Sequence, residues 1–295
     1  MRLRLHEVYG HVTLQDVGCQ GWLAQGVAKA GPFDRESAGL ANALVRNPVG
    51  TAVIEMGLGT IVFDAPEGGT LGIAGAEARL VVDGRPREIP GRVVLRPGAI
   101  VELGVRFLGS RLYVAVPGGW DAKPCLGSVS GTPVNMRDTL HGAEGPATVD
   151  VRLAAGPESL EHRVVRVLRG PRCDAVPPIP WDGDWRVRAA SDRVGVRLEG
   201  DAPPHAVELP SEPMCVGAVQ ATPAGGLLIL GPDGPTVGGY PHVGTVIDAD
   251  LDKVGQLRPR DVLSFAFVDA EAAAKVSSER HQRMLHVRRQ LMLRS

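Results

Sequence analysis

Four landmarks recur in the same order at a nearly constant separation, and this repeat constrains the fold more than any other feature of the chain. Asp34-Arg35 is answered by Asp192-Arg193, roughly 158 residues on. Glu55 is answered by Glu212 and Gly68-Gly69 by Gly225-Gly226, each roughly 157 on, and Arg96-Pro97 by Arg258-Pro259, roughly 162 on. Each dipeptide alone is common in an Arg- and Gly-rich chain. Their collinearity argues for one domain duplicated, and 295 residues accommodate two domains of ordinary size. The polar, turn-forming Gly156-Pro157-Glu158-Ser159 sets the boundary near 156–163.

The duplicated unit reads as a β-domain. Short apolar runs follow one another: Val53–Met56, Thr60–Asp64, Leu80–Asp83, Arg92–Leu95, Ile100–Leu103 and Leu112–Val116 in the first half. Val149–Leu153, Val164–Leu168, Trp185–Ala189, Gly226–Leu230, Thr245–Asp248 and Val262–Val268 continue the series. Turn signals such as Asp83-Gly84, Pro117-Gly118-Gly119 and Gly238-Gly239 separate them, a spacing that indicates barrels or sandwiches. Gly 38 and Pro 24 argue against a helical bundle, because both residues disfavour helix interiors. Two stretches nevertheless predict helices. Arg35–Val45 has Asp34 as N-cap and Asn47-Pro48 as stop. Ala270–Leu293 carries Met284, Leu285, Val287, Leu291 and Met292 as a rough apolar stripe. The expected organisation is a first β-domain over 1–160, a second over 161–270 and a C-terminal helix over 271–295.

A formal net charge of -1 leaves no broad electrostatic footprint for nucleic acid or an anionic membrane. Met1 to Val12 lacks the apolar run of a signal peptide, and no apolar stretch approaches the ~18 residues of a membrane span. Cys19, Cys125, Cys173 and Cys215 form neither a CxxC pair nor a zinc spacing, so they read as reduced, mostly buried thiols in a cytoplasmic protein. The eight histidines are dispersed, and no metal site is expected. No G-x-S-x-G, H-E-x-x-H or P-loop signature occurs.

Polar residues at Gly-rich loop ends are the remaining candidates. Asp34 is either a helix cap or a group at a site mouth, where Arg35 would hold a carboxylate or phosphate. Asn42 either bonds nearby backbone or lines that mouth. Asp192-Arg193 is either a turn with an ion pair or an oriented anion-binding arginine. Gly217-x-Val219-Gln220 and Gly238-Gly239-Tyr240-Pro241-His242 form either a tight turn with a packed tyrosine or a set of backbone donors for an anion. Glu55 is either an arginine's partner or a capping acceptor.

Taken together, these segments resemble the A/B-subdomain family of biotin-dependent carboxyltransferases. The resemblance runs over Asp34-Arg35 with Leu40-Ala41-Asn42, Glu55-Met56, Val114-Ala115-Val116-x-Gly118-Gly119 and Leu126-Gly127-Ser128. It continues through Val167-Leu168-Arg169-Gly170-Pro171, Ser191-Asp192-Arg193-x-Gly195-x-Arg197-Leu198-Glu199-Gly200 and Gly238-Gly239-Tyr240-Pro241. That family includes the C subunit of bacterial 5-oxoprolinase, the antagonist of the Kip kinase inhibitor and the matching part of urea amidolyase. The resemblance implies a mainly β fold of two tandem cyclophilin-like β-barrel domains and a C/D-type carboxyltransferase-like partner (of the 5-oxoprolinase B-subunit type) that shares the active site. In the 5-oxoprolinase reading it further implies a third lactam-hydrolase subunit and ATP with magnesium in the complex. The reaction implied is lactam opening, 5-oxoproline to glutamate. Arg35, Arg193 and Arg169 would then hold anions, with Asn42, Glu55, Gln220 and His242 contributing to binding. Gly238, Gly239 and Tyr240 would line the pocket, and Asp34, Asp192 and Tyr240 would orient or transfer protons. No Met-Lys-Met context is present to carry biotin on this chain. The chain departs from the family at Val129-Ser130-Gly131, where Arg-Ser-Thr is usual, at Gly234-Pro235-Thr236-Val237, where Arg-Gln-Thr-Thr is usual, and at His242. Those losses fit a non-catalytic regulator that sequesters a kinase-inhibitor-like partner as a second reading, and a urea amidolyase-like carboxyltransferase component as a third.

Overall fold

The computed structural model describes residues 1–143, 150–153 and 164–293. They divide into two compact units. The first takes the described residues of Met1–Gly18, Ala30–Leu160 and Arg283–Ser295, and the second those of Cys19–Lys29 and Glu161–Gln282. The Gly156–Ser159 boundary lies outside the described residues.

In the first unit a seven-stranded and a six-stranded sheet enclose one core. Period-2 alternation decides which side chains enter it. Ala99, Val101 and Leu103 of the strand Ala99–Val105 are fully buried, while Ile100 and Glu102 point outward. The neighbouring strand Thr60–Ala65 supplies Ile61 and Phe63 to the same core. The helix Arg35–Leu44 has Asp34 as N-cap, as its sequence predicts, and buries Ala38, Ala41 and Leu44 against Val53, Ala74 and Tyr113.

The last helix, Ala270–Leu293, matches its predicted range. In the first unit Leu291 is buried and Val287 partly buried against the same core, a spacing of four that repeats one helix face. Leu285 lies off that face and is exposed, which corrects the broader stripe read from the sequence. Full burial of a side chain such as Leu291 stabilises by roughly 1.5–3 kcal/mol.

The second unit is a closed barrel. Its strands run, in spatial order, Val164–Arg169, His242–Val246, Ala218–Ala221, Leu227–Leu230, Gly195–Glu199, Trp185–Val187 and Val262–Phe267, and the last pairs in parallel with the first. Closure removes the sheet edges. Trp185, fully buried, meets Phe265 edge-on with ring centroids 6.3 Å apart, and its indole N–H donates to the Pro180 carbonyl at 3.0 Å. The mainly β architecture with few helices is therefore the one the sequence implied.

Two of the four landmark pairs stand in comparable places: Gly68 and Gly225 in turns that feed strands, and Arg96 and Arg258 ahead of long strands. The other two do not. Asp34 caps a helix whereas Asp192 closes a turn, and Glu55 lies in a sheet of the first unit whereas Glu212 lies in a two-stranded ribbon. All four cysteines are free thiols, but Cys125 and Cys215 are exposed and the other two half-buried, which corrects the expectation of burial. No described helix is long and apolar enough to cross a membrane.

Candidate functional site

Strand register builds the site on the outer face of the barrel. Inward residues of the strand Gly195–Glu199 are Val196 and Leu198, so Arg197 faces out. Arg197 pairs with Leu228, Leu228 with Gln220, and Gln220 with His242. One cross-strand row thus carries Arg197, Leu228, Gln220 and His242. A cavity of about 650 Å³ opens over this face, within the range of small-molecule sites. Arg197, Glu208, Gln220, Gly238, Gly239 and Tyr240 are among its lining residues. The register explains why residues 197, 220 and 238–240 converge although they are far apart in sequence.

The polar groups here have distinct states. Gln220, buried, donates from Nε2 to the Tyr240 carbonyl at 3.4 Å and to Met214 Sδ at 3.5 Å. A Cβ at Gly238 would lie 2.7 Å from that same Nε2, so only glycine leaves the amide in place. Tyr240 is 44% exposed and presents its ring at the cavity. His242 Nε2 lies 2.9 Å from Thr245 Oγ1. Burial pushes this imidazole below its usual range, against the opposing pull of the Gly244 backbone and the Glu212 carboxylate. It is therefore neutral near pH 7 and able to accept or donate one proton. Glu212 accepts from Arg172 Nε and Nη2 at 3.3 and 3.1 Å.

The structure thus brings Gln220, Gly238, Gly239 and Tyr240 into one cavity, with His242 next in the row. Three other predicted residues of the second unit are engaged elsewhere. Arg193 is buried and gives its fork to the half-buried Asp233 in two bonds of 2.7 Å, the ion-pair alternative of the sequence reading. Asp192 accepts from the Val194 and Gly195 amides at 2.8 and 3.1 Å, the bonding of an Asx turn. Arg169 is exposed and paired with Asp174.

Of the four predicted residues of the first unit, Asp34, Asn42 and Glu55 brace its interior. Asp34 accepts from the Ser37 amide at 2.8 Å and the Ser37 hydroxyl at 2.5 Å. Arg35 opens the helix and is half-buried. Asn42 donates to the Thr51 carbonyl and accepts from Asn47, which in turn bonds the Val116 carbonyl and the Gly118 amide, each at 2.8 Å. Glu55, 1% exposed, accepts from the Phe33 amide at 2.9 Å and the Tyr113 hydroxyl at 2.8 Å, with Arg111 Nε at 3.5 Å. Arg111 also stacks over the Phe33 ring, 4.5 Å from its centroid. The Asp16 carboxylate anchors the segment that departs from the family, accepting from Ser128 Oγ, Ser130 Oγ and the Val129 amide.

Sequence reasoning assigned no role to Arg197, Glu208, Arg111 or Tyr113. For Arg197 the signal was present: an arginine between Val196 and Leu198 in an alternating strand must face away from the core.

A family model described as the carboxyltransferase domain, subdomain A and B, matches residues 25–267. The 5-oxoprolinase C subunit of Haemophilus influenzae is 27% identical over 96% of this chain and 96% of its own. That of Escherichia coli is 28% identical over 92% and 93%. Urea amidolyase of Saccharomyces cerevisiae is 29% identical over 89% of this chain but only 16% of its own length. Among solved structures, TTHA0988 superposes with a TM-score of 0.82 at 31% identity, covering 90% of this chain and 56% of that one. The chain therefore spans little more than half of TTHA0988. The urea amidolyase of K. lactis shares the fold, with a TM-score of 0.84 at 22% identity, over 97% of this chain and 20% of its own. With the model matching most of its length, the chain belongs to the family of carboxyltransferase domains, subdomain A and B.

Proposed function

We propose that the chain is the C-type subunit of an ATP-dependent lactam hydrolase that converts 5-oxoproline to glutamate. One observation carries the reading: the likeness to the 5-oxoprolinase C subunit extends over 96% of both chains, whereas the likeness to urea amidolyase covers 16% of that protein. The cavity supports it. Arg197, exposed and without an ion pair among the described residues, suits an anionic group of the bound substrates. Gln220 and the backbone around Gly238 and Gly239 suit the lactam carbonyl, where negative charge develops during opening. Tyr240 lines the cavity and the neutral His242 is next in the row, and both suit passing a proton to the ring nitrogen.

ATP with magnesium is the co-substrate of this reaction and activates the carbonyl by phosphorylation. Among the described residues no group of three His, Cys, Asp or Glu is placed to hold a metal. The active site is shared with a C/D-type partner, and a third protein of the lactam-hydrolase type makes up the cytoplasmic complex.

The test is reconstitution of the chain with its candidate partner proteins and assay of glutamate release dependent on ATP and 5-oxoproline. Turnover is expected, and Arg197→Ala should raise KM about ten-fold, the effect of losing one charge-assisted contact. A second reading, a non-catalytic regulator, draws on Val237, 57% exposed in the stretch where the family carries polar residues. Stable association without glutamate release would decide for it.

A further inference from the structure

Val187 pairs with Leu198 across two neighbouring barrel strands, and one step on, the Arg188 amide donates to the Arg197 carbonyl at 2.8 Å. Arg188 and Arg197 therefore stand directly opposite each other on the outer face. One step the other way on the same face, Arg186 is opposite Glu199. Like charges directly opposed weaken a strand pair. The nearest compensation is Glu199, whose carboxylate is 4.0 Å from Arg188 Nε. Three guanidiniums and one carboxylate thus share a patch that is exposed throughout.

This patch borders a second cleft, of about 420 Å³, lined by Arg188, Arg197, Glu199 and the turn Thr222–Gly226. The turn is a stiff wall. Thr222 Oγ1 bonds both the amide and the carbonyl of Gly226, at 3.1 and 3.0 Å. Gly225 has φ +84°, and a Cβ there would lie 2.2 Å from the Ala202 carbonyl oxygen. The cleft adjoins the larger cavity, and the two share Arg197, Pro223 and Tyr240.

We propose that this cleft is a phosphate subsite, with Arg188 and Arg197 gripping one tetrahedral oxyanion between them. A phosphate carries more charge and more oxygens than a carboxylate, so it can take both guanidinium forks while relieving the repulsion between the arginines. The phosphate lies next to whatever fills the larger cavity, at the shared Arg197. This inference rests on the lactam-hydrolase reading only for the origin of the phosphate, the γ-phosphoryl of a nucleoside triphosphate or the phosphate released from it.

The test uses the full chain without partner proteins and inorganic phosphate as the probe, titrated by calorimetry at low ionic strength. Saturable single-site binding is expected. Arg188→Ala and Arg197→Ala should each weaken it at least ten-fold, and Glu199→Gln should tighten it several-fold. Both arginines are exposed, and removing either relieves a like-charge pair, so melting temperatures should hold. Should an arginine variant unfold, the tightening by Glu199→Gln alone decides. Absence of saturable binding, or affinities indifferent to Arg188, overturns the proposal. Arg188-dependent phosphate binding in a reconstituted complex that releases no glutamate would retain the subsite and reject the lactam-hydrolase reading. Glutamate release by a chain that binds no phosphate would do the reverse.

Discussion

Tyr113 shows how one residue can join several others. Its hydroxyl accepts from the Asp34 amide at 2.8 Å and donates to Glu55 Oε2 at 2.8 Å, with no part of the side chain exposed. Burial, together with the charges of Glu55 and Asp34, pushes this phenol far above its usual range, so it is a neutral donor at any working pH. Two residues that the sequence offered as site groups are thereby held in the interior of the first unit. Tyr113→Phe keeps the packing and deletes both bonds, leaving the buried Asp34 amide without that acceptor. A loss of about 1–3 kcal/mol is expected, read as a lower denaturation midpoint at unchanged slope. An unmoved midpoint would show that the hydroxyl does not hold the network.

At the scale of elements, the short ribbon of Glu212–Pro213 with Val237–Gly238 brings Gly238 to the cavity wall. Two adjacent glycines at its end make different demands. A Cβ at Gly238 would press on Gln220 Nε2 at 2.7 Å and Met214 Cγ at 3.3 Å, whereas one at Gly239 would meet Leu209 O at 3.5 Å and Ser211 Oγ at 3.8 Å, ordinary contact distances. Gly238→Ala should therefore displace the Gln220 amide at a cost of about 1 kcal/mol. Gly239→Ala should stay within about 0.5 kcal/mol of the parent. Thermal melts of the two variants, with phosphate titration as a second readout, check the contrast, and equal behaviour would remove the ribbon's claim to position Gln220.

For the whole molecule, acid sensitivity follows from charges buried on folding. Asp250 has no exposed surface and takes Arg166 in two side-chain bonds, the Arg166 amide in a third and Lys253 at 3.0 Å. Burial works to raise this carboxyl, but Arg166 and Lys253 outweigh it and hold it below the usual carboxylate range. The unfolded chain therefore binds the proton more readily. The stability this group contributes is fully present above the unfolded value of about 3.9 and is lost as pH falls through the lower folded value. Asp250→Asn should cost about 3 kcal/mol at neutral pH, because two cations lose their buried counter-charge. The gap to the parent should narrow below about pH 4 in denaturant titrations, and a gap independent of pH would contradict the assignment.

Local chemistry was legible along the chain wherever neighbours in sequence decide it. The Asp34 cap, the helix Arg35–Leu44, the strand Val53–Met56 and the full extent of Ala270–Leu293 follow from periodicity and turn residues, which act over a few positions. The family resemblance was legible too, since its motifs are contiguous. The site was only half so. Gln220, Gly238, Gly239 and Tyr240 could be named, but Arg193 and Asp192 looked equally suited until the barrel gave Arg193 to Asp233 and made Asp192 a turn acceptor. Arg197 stands four residues beyond Arg193 and carries the same charge. What separates them is local geometry: Arg193 lies in the turn before the strand and pairs with Asp233, whereas Arg197 lies within the strand and faces outward opposite Arg188. The sequence by itself determined the elements and the kinship. Only closure of the barrel, which pairs residues distant along the chain, decided which arginine faces the cavity.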